Sequence, residues 1–460
     1  MGDCLPSFIK FGTDGIRGRY GLFPITSACF CRVSYSYAVV MRRLYPSCLP
    51  IVLIGRDTRA SGVPLSEGVI AGLMAAGIEV WDIGVVSTPI ISSLVCQHSV
   101  LGGIVVSASH NPYYDNGLKF FSHDGFKLSS SLEDEITSEF NGLDENIYFA
   151  SRSSGAIHKR YDLLEKYLND SVNHFSEMPT SIVPCRVAVD CAHGALYRVA
   201  PLMFQSLGFE VLPICCSPNG YNVNNLCGST SPDFLANFVR SGKADVGVCF
   251  DADGDRVLLI MPDGNVCDGN IILYLFFRRW LMNSTVSGVV GTVMTNSAIE
   301  NFFKSEGVSF YRSLVGDKNI VKTMILEKAT FGGEPSGHLI VNRDNRLCFD
   351  ALFNVIDLIL SFHTLDDIYQ EYLSISLYPQ KLLNVRIKKH YNWEDDVRLQ
   401  YYLDDCRKAG GDFFRVLVRL SGTEPVLRIM LEAKEERFIN VVASHLSCIV
   451  NAAQDLIVGD

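Results

Sequence analysis

No stretch of this 460-residue chain is apolar for long enough to cross a bilayer. A spanning helix needs about 20 consecutive apolar residues, and the longest candidate, "IILYLFF" at 271–277, runs straight into Arg278 and Arg279. The first residues, "MGDCLPSFIK", lack the basic and apolar regions of a secretory signal, and Pro6 stands where an N-myristoylation signal wants Ser or Thr. An excess of positive charge is missing too. With 40 Lys and Arg against 50 Asp and Glu the net charge is −10, so neither a membrane nor a nucleic-acid partner is expected. An anionic ligand must be caught by a local cluster of Arg and Lys. The chain has fifteen cysteines but no Cys-x-x-Cys pair; Cys29 and Cys31 are one residue apart, and Cys215 and Cys216 are adjacent. An odd number without metal-ligand spacing reads as small core side chains in a reducing compartment, and a cytoplasmic location is expected. Low-complexity segments are absent.

What is present is a soluble-protein composition, 48% hydrophobic and 20% charged, on a chain long enough for several cores. One pattern recurs three times. "IVLIGRDTRASGVPLSEGVIAGLMAAGIEVWDIG", "CRVAVDCAHGALYRVAPLMFQSLGFEVLPIC" and "GVVGTVMTNSAIENFFKSEGVSFYRSLVG" each read as strand, polar loop, helix, Gly and strand. The glycines (Gly77, Gly208, Gly307) stop the helices, and the apolar strands need cover on both faces. Three related α/β domains are therefore expected, at 1–153, 154–257 and 258–372. A smaller α+β domain at 373–460 follows, in which "NVRIKKH" and "FRVLVRLSGTEPVLRIMLEAK" alternate like an antiparallel sheet.

Five clusters carry chemistry. In "VVSASHNPYYDNGLKFF" a buried strand ends by presenting Ser109, His110 and Asn111, and the Asn116–Gly117 pair reads as a turn that brings back Lys119. In "DVGVCFDADGDR" an apolar strand delivers Asp251, Asp253 and Asp255 at alternate positions. Three such carboxylates repel unless a cation sits among them, and hard oxygen ligands suit Mg²⁺; the other reading is a solvated acidic turn. A calcium EF-hand is excluded, because its twelfth position would be Pro262. "RLSGTEPVLRIM" offers backbone amides and hydroxyls at Ser421, Gly422 and Thr423, flanked by Arg419 and Arg428, and reads as a phosphate cradle or as a capped surface turn. "FGGEPSGHLIV" presents Glu334, Ser336 and His338 together, suited to sugar hydroxyls or simply a glycine turn. "FGTDGIRG" and "GRDTRASG" place Arg17, Arg56 and Arg59 among glycines. Arg17 reads as an anion contact, while Arg56, Asp57 and Arg59 read equally as an ion-pair network. A serine that carries a phosphoryl group would use all these clusters, with Lys119 shuttling a proton if nearby cations depress its pKa.

"TDGIRG", "SASHNP", "DADGDR", "GGEPSGH" and "RLSGTEP", in this order over essentially the whole chain, resemble the α-D-phosphohexomutase family. The resemblance implies four domains around a central cleft, Ser109 as a phosphoserine, and Mg²⁺ on Asp251, Asp253, Asp255 and the serine phosphate. It also implies Arg17, His110 and Lys119 as catalytic groups. The sugar phosphate is expected on Arg256, Glu334, Ser336, His338 and the C-terminal loop, with a sugar 1,6-bisphosphate as activator and a monomer or homodimer as the working form. "DCAHGALYRVAP", "NVNNLCGST", "VGTVMTNSAIE" and "LVGDK" look most like the family's bacterial amino-sugar branch, which implies interconversion of glucosamine 6-phosphate and glucosamine 1-phosphate. Two features depart from that branch: Pro335 replaces a usual Gln, and "NRDNRLCFDALF" lacks a Thr-Gly-Asp-Gly-like segment. The nearest enzyme alternatives are a glucose or mannose phosphomutase. "VCFDADGD" also allows a haloacid-dehalogenase-like phosphatase, but Asp255 sits where that motif wants Thr or Val. A non-catalytic sugar-phosphate sensor would bind without turnover.

Overall fold

The protein is described by a computed structural model that covers residues 9–456 apart from Thr13, 144–154, 179–184, 281–285, 344–345, 389–390 and 421–424. The first sheet contains β1 (Ile16–Arg19), β2 (Leu49–Arg56), β3 (Glu79–Val85), β4 (Val100–Val106), β5 (Asp115–Phe121) and β6 (Ile157–Lys159), in the order β1-β5-β4-β2-β3-β6. The second has β7 (Arg186–Asp190), β8 (Glu210–Ile214), β9 (Val246–Phe250), β10 (Val257–Ile260) and β11 (Val266–Cys267), ordered β11-β10-β9-β7-β8. The third has β12 (Val289–Thr292), β13 (Phe310–Ser313), β14 (Phe331–Gly333), β15 (Leu339–Arg343) and β16 (Arg346–Cys348), ordered β13-β12-β14-β15-β16. The C-terminal sheet sets β19 (Val426–Glu432) between β17 (Gln380–Arg386) and β18 (Arg415–Leu420), all antiparallel, followed by the helix Glu436–Leu456.

The three repeats read in the sequence are three parallel βαβ units: β2/β3 around helix Gly62–Ala75, β7/β8 around Val199–Ser206, and β12/β13 around Ser297–Ser305. Gly77, Gly208 and Gly307 follow these helices at positive φ, where a side chain would be strained. The divisions at 153 and 257 cut across sheets. Strand β6 adds to the first sheet beside β3, and β10 and β11 hairpin back onto β9, so the first two sheets run on to Lys159 and Cys267. Short edge strands beyond a turn carry no separate sequence signal. The Asn116–Gly117 pair is likewise no turn. It lies within β5, where a Cβ on Gly117 would stand 2.4 Å from the Ile16 carbonyl oxygen, so Gly permits β1 to approach.

One continuous apolar core runs from Leu53 and Ile91 through Val189 and Phe250 to Phe277 and Phe331, joining the first three domains; Leu399, Ile429 and Leu446 belong to a separate C-terminal core. Cys29, Cys191, Cys227, Cys249, Cys267 and Cys406 are buried as expected, but Cys96 and Cys448 are exposed. No described helix is long and apolar enough to cross a membrane.

Candidate active site

Strand β4 ends at Val106, and three residues later Ser109 adopts φ 49°. A non-glycine residue in this left-handed region costs about 1–2 kcal/mol, so the surroundings must hold it. Ser107 Oγ accepts the Ser109 N–H at 2.9 Å and donates to Asp57 Oδ2 at 2.7 Å. Arg59, fully buried, donates to the carbonyls of Ser109 at 2.7 Å and Asn111 at 2.8 Å, and its Nε is 2.8 Å from Asp57. The Asn224 amide from the second domain donates to the same two carbonyls at 2.8 and 3.0 Å. Arg59 and Asp57 thus form a structural ion pair that shapes the serine loop; among the described residues the Arg56 side chain donates to the Asp57 carbonyl, at 3.2 Å.

The loop after β9 brings Asp251, Asp253 and Asp255 together, with one oxygen of each within 4.8 Å of the others. Ser109 Oγ donates to Asp251 Oδ2 at 2.6 Å. Lys119 Nζ, delivered by β5, donates to Asp253 at 2.6 Å and Asp255 at 2.7 Å, and lies 3.2 Å from Asp14. Asp253 Oδ2 also accepts from the Thr88 hydroxyl, while its Oδ1 is buried and has no hydrogen-bond partner among the described residues. A buried oxygen without a donor, inside a set of hard carboxylates, fits a small divalent cation such as Mg²⁺.

The electrostatics follow from this packing. Burial pushes Asp251 up to about 8, reinforced by the charges of Asp255 and Asp253. Burial works against the charge of Asp255 as well, but Lys119 and then His338 outweigh it and hold that carboxyl well below its ordinary range. Burial also opposes the charge of Lys119, yet Asp14, Asp253 and Asp255 raise its pKa well above the usual value. The expected depression of Lys119 by nearby cations is therefore reversed, because its neighbours are anions. The neutral group beside Ser109 is His110. Burial, then Arg256 and Arg17, bring it down to about 3, and its Nδ1 lies 3.4 Å from Ser109 Oγ.

Arg17 pairs with Asp14 and reaches the Ala108 carbonyl at 3.4 Å. Arg256 Nε lies 3.4 Å from His338 Nε2, and His338 bridges Asp255 at 3.1 Å and Glu334 at 2.7 Å. Burial opposes the charge of His338, but Asp255 raises it to about 10. Glu334 Oε1 accepts the Gly316 N–H at 2.9 Å. Burial opposes its charge too, and the His338 hydrogen bond and charge outweigh that and lower its pKa. Ser336 is exposed on the same turn. Arg419 and Arg428 are cross-strand partners on β18 and β19. Burial and then Arg428 lower the pKa of Arg419, while Glu334 in the turn between β14 and β15 acts in the opposite sense. Two guanidinium groups stand opposite one another with no ion pair among the described residues, a setting for an anion. Ser421, Gly422 and Thr423 lie outside the described residues.

Asp14, Thr88 and Asn224 were not found by motif reading. Asp14 lies inside "TDGIRG", and its contact with Lys119 depends on β1 pairing with β5. Thr88 arrives from another segment without a local signal, and Asn224 lies inside "NVNNLCGST", a segment whose sequence gives no sign that its side chain reaches the serine loop.

Domain families described as phosphoglucomutase/phosphomannomutase alpha/beta/alpha domains I, II and III and C-terminal domain match residues 9–147, 165–264, 268–372 and 382–444. The chain belongs to this family, the α-D-phosphohexomutases. Among its relatives is a phosphoglucosamine mutase of Delftia acidovorans, 38% identical over 92% of this chain and 94% of that protein. A phosphoglucosamine mutase of Burkholderia mallei is 37% identical over 96% and 98%. A Burkholderia thailandensis phosphoglucomutase/phosphomannomutase family protein shares the fold, with TM-score 0.77 and 20% identity over 96% of this chain and 97% of that one. The same holds for an Aspergillus fumigatus N-acetylphosphoglucosamine mutase solved with GlcNAc-6P and magnesium, with TM-score 0.60 and 15% identity over 98% and 97%. The haloacid-dehalogenase alternative does not survive this family assignment.

Proposed function

We propose that the chain interconverts glucosamine 6-phosphate and glucosamine 1-phosphate through phosphorylated Ser109 and a bisphosphorylated sugar. The observation that carries this reading is the Ser109 hydroxyl, held on a left-handed backbone and donating to Asp251 at 2.6 Å beside an acidic triad suited to Mg²⁺. Held by Asp251, Asp253, Asp255 and an oxygen of the serine phosphate, Mg²⁺ would neutralise charge on the transferring group.

The side chains supply the rest. The O1 hydroxyl of the 6-phosphosugar attacks phosphorus, the bond to Ser109 Oγ breaks with the electron pair left on that oxygen, and Ser109 Oγ ends with the proton that O1 gives up. Arg17, Arg256 and protonated Lys119 provide positive charge around the non-bridging oxygens. The bisphosphate then turns over, the Ser109 hydroxyl attacks the 6-phosphoryl group, and its proton passes to O6 of the product as the bond from O6 to phosphorus breaks. Free sugar 1,6-bisphosphate restores the phosphoserine when it is lost. Arg419, Arg428 and residues 421–423 hold the phosphate that is not reacting, and Glu334, Ser336 and His338 hold the sugar. Pro335 acts through its backbone: its carbonyl accepts the Gly269 N–H at 3.1 Å and anchors the sugar loop to the helix Gly269–Trp280.

A comparison of kcat/KM for glucosamine, glucose and mannose phosphates at one bisphosphate concentration tests the reading. Glucosamine phosphate is expected to lead by at least about tenfold, the equivalent of about 1.4 kcal/mol. A tenfold lead for glucose or mannose phosphate would make the enzyme a phosphoglucomutase or phosphomannomutase instead. Binding without turnover would make the protein a sensor.

A further inference from the structure

Outside the acidic triad, the described residues hold a second group of converging ligands. A ring nitrogen of His193 and the sulfurs of Cys215 and Cys227 all lie within 4.8 Å of one another. The three positions are 22 and 12 residues apart and form no recognisable motif, since the fold brings them together from the end of β7, the end of β8 and the loop that follows. We propose that His193, Cys215 and Cys227 form a site for a soft divalent cation of the zinc class, distinct from the magnesium site.

The ligand chemistry differs from that of the acidic triad. Two thiolates and an imidazole select zinc-like ions, whereas carboxylates select magnesium-like ones. Zinc bonds of about 2.3 Å to sulfur and about 2.0 Å to nitrogen require ligand atoms roughly 3.5–3.8 Å apart, so the cluster closes around an ion by a contraction of at most about 1.3 Å. Cys227 is buried, while His193 and Cys215 are half-exposed, which gives the ion a route from solvent and leaves a fourth position for water. The Ser217 amide donates to His193 Nδ1 at 3.2 Å, a bond long enough to yield when the ring turns a lone pair to a cation. Cys215 and His193 both have φ near 50°, at 49° and 51°. Non-glycine residues are held in this region at a cost, and the strain falls on two of the three ligands.

The position of the site matters because Cys215 and Cys227 bracket the loop that docks on the serine loop. Within this loop Asn224 donates to the Ser109 carbonyl at 2.8 Å, the Gly220 carbonyl accepts the Ala60 N–H at 3.0 Å, and Tyr221 meets Tyr113 edge-on at 5.7 Å between ring centres. The His193 carbonyl accepts from the Thr58 hydroxyl. A cation here ties both ends of the docking loop to His193, three residues beyond β7, and fixes the partner of the serine loop.

The test is a Co²⁺ titration of the reduced, metal-free, full-length protein. A near-ultraviolet thiolate-to-cobalt charge-transfer band should grow to one equivalent and be lost on adding Zn²⁺. It should vanish in Cys215→Ser and shift in His193→Gln, which keeps both thiols. It should persist in Cys216→Ser, whose thiol turns away to the carbonyls of Ile214 at 3.2 Å and Val189 at 3.7 Å, and in Asp253→Asn. Far-ultraviolet circular dichroism checks that each variant is folded. Absence of the band at one equivalent overturns the proposal, as does its survival in folded Cys215→Ser or an unshifted band in folded His193→Gln.

Discussion

At Ser109 a hydroxyl, three carboxylates and a lysine share a space closed to solvent, and each has a separable consequence when removed. Ser109→Ala deletes the carrier oxygen and little volume. Mutase turnover should fall to background while the unfolding midpoint stays close to wild type, and mass spectrometry should no longer find covalent phosphate on the peptide containing residue 109. Near-normal turnover by this variant would sink the phosphoserine mechanism. Asp253→Asn removes one charge from the triad and places an amide against Lys119. The Mg²⁺ concentration giving half-maximal activity should rise by at least about tenfold, or about 1.4 kcal/mol; an unchanged Mg²⁺ dependence would leave the acidic loop as a turn only. Alternation after an apolar strand made the three aspartates legible, and the break after Val106 made Ser109 legible. The state of Lys119 was not, because the carboxylates that fix its charge are distant in sequence: β1 pairing with β5 brings Asp14, and the packing of the second domain against the first brings Asp253 and Asp255. Arg59 stayed ambiguous for a similar reason: a buried arginine and a phosphate-binding arginine look alike until their acceptors are known.

The strand end is the unit that places chemistry in this fold. Each βαβ repeat was legible because helix period, glycine stop and apolar strand agree, whereas edge strands such as β6 and β11 depend on the sheet already being there. Asp190 closes β7 and joins two segments, since its oxygens accept the Ala192 N–H at 2.8 Å and the Gly228 N–H at 2.9 Å. Burial nevertheless raises its pKa from 3.8 to about 6, against the opposing pull of those two amides. Between these values the folded state binds more protons than the unfolded state, so this group's contribution to stability is present below about pH 4 and is lost as pH rises through 6. The loss amounts to about 3 kcal/mol at most. Asp190→Asn cannot ionise, so its stability relative to wild type should improve between pH 4 and pH 7 by an amount up to that size. Urea midpoints at the two pH values measure it. Parallel pH dependences for the two proteins would mean that Asp190 keeps an ordinary pKa.

Over the whole molecule, the shared core of the first three domains and the separate core of the fourth divide the labour: a fixed body holds Ser109, the triad and the sugar loop, and a smaller module brings Arg419 and Arg428 to it. The link between them is polar and partly buried, with Glu432 inside and Arg415 a quarter exposed. Glu432, 1% exposed, accepts the Ser297 N–H at 3.2 Å and pairs with Arg415 at 3.2 Å, while Arg415 also donates to the carbonyls of Val293 at 3.0 Å and Thr295 at 2.7 Å. Removing one member of a fully buried pair leaves an uncompensated charge and costs about 3–5 kcal/mol, less where one partner is partly exposed as Arg415 is, whereas replacing both by apolar groups is often close to neutral. Arg415→Met should therefore loosen the docking of the fourth domain, and the double variant Arg415→Met/Glu432→Leu should recover stability without restoring the hydrogen bonds that orient the module. Because Arg419 and Arg428 lie in that module and the reacting groups do not, both variants should raise KM for the phosphosugar by about tenfold, an energy of about 1.4 kcal/mol, with a smaller change in kcat. Steady-state kinetics and thermal unfolding of the single and double variants decide it. A KM unchanged in both would mean that the fourth domain is positioned by contacts other than this pair; a fall confined to kcat would place Arg415 in the chemistry and not in the architecture.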